Sequence, residues 1–195
     1  MRISIQYKDA GLDAKFGNEF QFQMASIISS LLPPLRTHHI DAGHLSPLHS
    51  VVGPASIYAL SSLIFPSVAI DRKLPPNQTS EDDDTWVIAM GTMNKALRVA
   101  VEDDTLGGDE ILYGRAGLLW SILNLHQWLD GGIEVPSNRK NDIAKIADDV
   151  SIKELVGKII EAGKAGAKVY AREVGEDNYK FPLMWKWHGS YYLGA

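Results

Sequence analysis

Four of the six histidines, His38, His39, His44 and His49, lie between Leu35 and Ser50. Imidazole nitrogens are common zinc ligands, so the cluster poses a metal question at once. The pattern speaks against it. Gly43 and Pro47 interrupt any continuous helix, His38 and His39 are adjacent and point apart in most backbones, and no HxxxH pair is present. The acidic run Glu81-Asp82-Asp83-Asp84 follows Pro75-Pro76-Asn77-Gln78-Thr79-Ser80. It reads as a solvated loop ending in a helix N-terminus, where carboxylates suit the positive dipole end. There is no cysteine, which excludes a disulfide, a thiolate zinc site and a cysteine nucleophile within these residues. We therefore expect no metal held by this chain.

An acidic pair, Asp109-Glu110, stands just before Tyr113-Gly114-Arg115-Ala116-Gly117. Here the residue types are richer. A carboxylate at Glu110 could orient a proton-transfer partner or cap the helix that follows. Arg115 carries a planar fork suited to a ligand carboxylate, or to an ion pair with Asp109 or Glu110. Tyr113 could pack beneath a site or donate its hydroxyl to one. Gly114 and Gly117 permit a sharp turn into the helix and close approach of its first turn to neighbours.

The elements that would position these residues are mostly helical. From Asn18, a plausible cap, the residues Phe20, Met24, Ile27, Ile28, Leu31 and Leu32 recur at helical steps until Pro33-Pro34. Gly53-Pro54 opens a second helix over Ala55 to Phe65, with proline at the first helical position. A third is expected from about Thr85 to Val101, its Trp86, Met90, Met93 and Leu97 spaced as core fillers. A fourth runs from Arg115 to Leu129 and stops at Gly131-Gly132, with His126 near its end as a surface or helix-terminus partner. The fifth begins at the capping-box pattern Ser151-Ile152-Lys153-Glu154. Gly157, Gly163 and Gly166 weaken it, so close packing against a neighbour is expected to offset them. Arg2 to Tyr7 alternates without an obvious partner strand, and Phe181 to Leu193 alternates around Gly189-Ser190, which fits a short hairpin.

Composition narrows the function classes. With 45% hydrophobic and 22% charged residues in 195, the chain is globular in character and has core enough for one domain. Val51 to Ile70 is broken by Pro54, Ser56, Ser61, Ser62 and Pro66, so no transmembrane segment is expected. The N-terminus lacks a signal-like apolar stretch, making a cytoplasmic address the default. The net charge is −5 and the basic residues are dispersed in sequence, which argues against nucleic acid.

Two segments carry a family resemblance. Asp109-Glu110-Ile111-Leu112-Tyr113-Gly114-Arg115-Ala116-Gly117-Leu118-Leu119-Trp120 resembles the YGRxG helix entrance of eukaryotic lanthionine synthetase C-like (LanC-like) proteins. Pro182 to Ala195, with Trp187-His188-Gly189-Ser190-Tyr191-Tyr192-Leu193, resembles that family's stretch just before its A-H-G motif. Gly53-Pro54-Ala55 is a weaker likeness to an earlier G-P-x-A helix start. The specific likeness covers Gly107 to Ala195.

The resemblance implies an all-α fold, part of an α/α toroid in which an inner ring of helices is entered through glycine-rich turns at Gly53, Gly114 and Gly194. It implies zinc-dependent addition of a thiol, glutathione in eukaryotic members, to dehydroamino acids in peptides. Glu110 aligns with the family's active-site acid; Arg115 and Tyr113 become candidate substrate-binding residues. The zinc ligands would lie beyond Ala195, and His188 is not the family's catalytic histidine. Zinc is accordingly expected only in a longer form, and this chain alone is expected to be inactive. Two other readings stay open: a non-catalytic glutathione- or peptide-binding protein, and a six-hairpin glycosidase-type toroid, whose chemistry needs two carboxylates across a cleft. An incomplete ring would also expose an apolar edge and favour self-association.

Overall fold

The computed structural model describes residues 43–64, 81–103, 109–130, 135–176, 180–187 and 189–193, together with Gln23, Ile27, Leu35, His39 and Ile40. The expected arm over Arg2–Tyr7, most of the expected helix from Asn18, His38, His188 and Gly194 lie outside the described residues.

Among the described residues five helices and one hairpin can be bounded: α1 Val52–Ile64, α2 Glu81–Glu102, α3 Arg115–Asp130, α4 Ser137–Ala147, α5 Asp149–Glu173, β1 Trp185–Trp187 and β2 Ser190–Tyr192. The described fold is thus predominantly helical. α1 lies against α2 and α3, while α4 and α5 each touch both α2 and α3. Apolar side chains at helical spacing explain the packing. Trp86, Ala89, Met90, Met93, Ala96, Leu97 and Ala100 of α2 are buried in one core with Val52, Ala55, Ala59 and Leu63 of α1 and Leu118, Ile122 and Leu125 of α3. Each large aliphatic residue there contributes about 1.5–3 kcal/mol.

The boundaries differ in instructive ways from those expected. α1 begins at Val52, so Pro54 is its third residue and still falls among the first N–H groups that have no intrahelical partner. α2 begins at Glu81, which places Glu81–Asp84 in its first helical turn instead of in a preceding loop. α4 was not expected at all. It is polar over most of its length and buries only Ile143, Ile146 and Ala147. α5 starts at Asp149, capped by Asp148, whose carboxylate accepts a hydrogen bond from Ser151 N at 2.8 Å. The Ser151 pattern therefore lies inside the helix it was expected to cap.

Polar contacts across helices satisfy exposed helix ends. Arg139 of α4 donates to Ser62 O near the end of α1 at 3.0 Å, and its guanidinium covers the Trp86 ring at 4.9 Å. His126 Nδ1 lies 2.6 Å from Ala147 O, the last residue of α4, so this nitrogen carries the proton and donates it to a helix-end carbonyl.

The hairpin is antiparallel, pairing Trp185 with Tyr192 and Trp187 with Ser190, and Gly189 takes φ +82° at its turn. It is fastened to α5 at two of the three glycines. A Cβ at Gly163 would stand 2.6 Å from the Trp185 ring, and one at Gly166 would collide with Met184 O. Met184 N donates to Gly163 O at 3.0 Å, and Trp185 Nε1 donates to Ile159 O at 3.0 Å. Gly157 has no close neighbour and gains no such packing. None of the described helices is long and apolar enough to cross a membrane.

Candidate functional site at the entrances of two helices

The turn from Asp109 to Gly114 is built by its own side chains. Glu110 O accepts from Gly114 N at 2.9 Å. The Glu110 carboxylate accepts from Tyr113 N at 2.8 Å through one oxygen and from Leu112 N through the other. The acid is thus the cap of the turn that leads into α3.

Arg115 faces inward. Its side chain and that of Asp109 are each 3% exposed, and Nη1 donates to Asp109 Oδ1 at 2.8 Å. Nε donates to Ala100 O and Nη2 to Asp103 O, each at 2.7 Å. Those carbonyls belong to the end of α2, where the helix dipole is negative and the cation is favoured. Burial pushes the Asp109 carboxyl above the ordinary aspartate value, and the bond and charge from Arg115 only partly oppose this. Asp109 N also donates to the Tyr192 hydroxyl at 3.2 Å, which links the hairpin to the turn. Burial raises the Tyr192 hydroxyl above its usual value.

The loop before α1 meets this turn directly. Leu45 N and Ser46 N both donate to Tyr113 O, at 2.7 and 3.1 Å. The fully buried Ser46 donates from Oγ to Ile111 O at 2.6 Å and accepts from Leu48 N at 3.2 Å. Gly117 is needed there because a Cβ would run into Ser46 and Ile111 O; Gly53 is needed because a Cβ would run into Pro47 O. The entrances of α1 and α3 are therefore locked side by side.

Around them, the rings of His44, His49 and Tyr113 form a cluster, with centroids 5.5 Å apart for His44–His49, 5.3 Å for His49–Tyr113 and 6.1 Å for His44–Tyr113. Leu48, Ile111 and Leu112 are exposed beside it, at 62%, 45% and 52%. Of the candidate residues, Glu110, Tyr113, Gly114, Arg115, Gly117 and Gly53 come together here, and Gly194 lies outside the described residues. His44 and His49 join them although no role was assigned to either. Ser46 was not singled out; a lone serine before a proline carries no signal for a buried stitch. Asp109 and Glu110 have separate tasks, one facing Arg115 and the other the turn backbone.

No protein-family model matches the chain. No solved structure matches it. The residues present do not fit the zinc site of the LanC-like family. The sequence has no cysteine, and among the described residues no three His, Asp or Glu side chains gather to hold a metal ion.

Proposed function

We propose that this chain is part of a LanC-like α/α toroid, whose complete form adds glutathione to dehydroamino acids in peptides with the help of zinc. In this reading the Glu110–Tyr113 end is the chain's contribution to the ligand-binding mouth. The observation that carries it is the joining of two glycine-dependent helix entrances at one end, through Tyr113 O, Ser46 and Gly117. A ring of inner helices needs neighbouring entrances of this kind. The likeness of Asp109–Trp120 and Pro182–Ala195 to the family supplies the rest of the support.

Within the reading, Arg115 is a positioning residue, since it is buried and three of its five N–H donors serve Asp109, Ala100 and Asp103. Glu110 is the acid nearest the mouth, and each of its oxygens retains a second lone pair for a proton or a donor supplied from elsewhere. The exposed Ile111 and Leu112 give the mouth an apolar rim. No step through zinc is assigned to these residues.

A second reading, binding of glutathione or a peptide without zinc chemistry, rests on the cysteine-free sequence. Sequencing the transcript beyond the Ala195 codon separates the two. A continuing frame that encodes A-H-G, then a cysteine and a Cys-His pair, is the outcome expected for the enzyme. A frame continuing into sequence without them overturns it.

A further inference from the structure

Away from the helix entrances, a cleft of about 710 Å³ runs between the second half of α5 and the segment leading into the hairpin. Lys164, Lys168 and Arg172 line its helical wall, Lys180 stands on the opposite wall, and Phe181 and Leu183 line its apolar part. We propose that this cleft docks an acidic peptide segment carrying one apolar side chain.

The charge arrangement argues for it. Residues four apart share one helix face, so Lys164, Lys168 and Arg172 form a row of like charges that repel one another. No carboxylate among the described residues lines the cleft. Among the described residues none of the four cations has an ion-pair partner. The nearby Glu173 is already engaged, 2.8 Å from Lys186. On a chain of net charge −5, four cations without an ion-pair partner among the described residues form a local reversal of sign around one cleft.

The shape selects the occupant. From Lys164 to Arg172 the helix rises about 12 Å, the length of three to four extended residues. Ala167 and Ala171 lie between the cations and leave the wall low. Phe181 is held edge-on to Tyr170, at 4.9 Å and 87°, so the apolar surface is fixed in place. A long polyanion would meet the repulsion of the acidic remainder of the protein, whereas a short acidic segment meets only the four cations.

The test is fluorescence anisotropy on the whole chain, with a dye-labelled hexapeptide of Asp and Glu around a central Leu and its Asn/Gln counterpart. The acidic peptide is expected to bind at least about tenfold more tightly than the neutral one, and to weaken between about 0.05 and 0.5 M salt. The double variant Lys168→Glu/Arg172→Glu should lose at least about tenfold while Lys168→Arg retains binding. All these side chains are exposed, so folding is checked simply by an unchanged melt. Equal binding of both peptides, indifference to charge reversal, or complete displacement by inorganic phosphate at matched ionic strength would overturn the proposal.

Discussion

Arg115 Nη1 lies 2.8 Å from Asp109 Oδ1, with both side chains 3% exposed, and the same guanidinium holds the carbonyls of Ala100 and Asp103. One side chain therefore ties the end of α2 to the entrance of α3. Removing one member of a buried pair leaves an uncompensated polar group, at a cost of about 3–5 kcal/mol. Arg115→Ala should lose that much in urea denaturation. The double variant Arg115→Ala/Asp109→Ala should lose less than the sum of its two single variants, a coupling read from the double-mutant cycle. Additive losses would show that the pair does not act as a unit.

Glycines in this chain are not equivalent. At Gly91, within α2, an added Cβ meets nothing within 4 Å, so Gly91→Ala should stabilise by about 0.5–1 kcal/mol. Gly117→Ala must displace Ser46 and Ile111, and should destabilise by about 1–3 kcal/mol. Thermal melts of the two variants should move in opposite directions.

Asp148 caps α5, and its carboxyl is held below the ordinary aspartate value of 3.8 chiefly by the hydrogen bond from Ser151 N. A depressed folded value means that the stabilisation is present above about pH 3.8 and is lost as pH falls through the lower, folded value. Asp148→Ala should cost about 1 kcal/mol at neutral pH. The gap between wild type and variant should close in acid; a gap that persists unchanged below the folded value would show another origin.

Glu110→Gln retains one acceptor oxygen and sets an amide NH2 against a backbone N–H. A loss of about 1 kcal/mol and faster amide exchange at Leu112 and Tyr113 are expected. Unchanged exchange would show that the carboxylate does not hold the turn.

The sequence made α3, the later part of α2 and the Gly189 hairpin legible because their apolar spacing and their punctuation agree. α4 was hidden for a physical reason. A helix resting on Ile143, Ile146 and Ala147 shows too few apolar positions for its period to register, and partners outside it decide its fate. The cap of α5 was misplaced because Asp148 and Ser151 are both good caps three residues apart, and only the backbone at Asp148 chooses between them. In the candidate site, the glycines and the acid were readable from their types. The Ser46 stitch and the gathering of His44 and His49 over Tyr113 were not, because they join residues more than sixty positions apart without a local pattern.

Ile57, Trp120 and Leu123 are large apolar residues each more than 44% exposed. Self-association of the isolated chain follows if those residues share a face, and light scattering over a concentration series would reveal it as a rising apparent mass.

The most direct test of the account is a heteronuclear NMR titration of the labelled chain with glutathione. Binding at the joined helix entrances predicts saturable shifts at His44, His49 and Glu110–Tyr113, with the α5 cleft unaffected. An absence of saturable shifts at that end, or shifts confined to Lys164–Arg172, would contradict it.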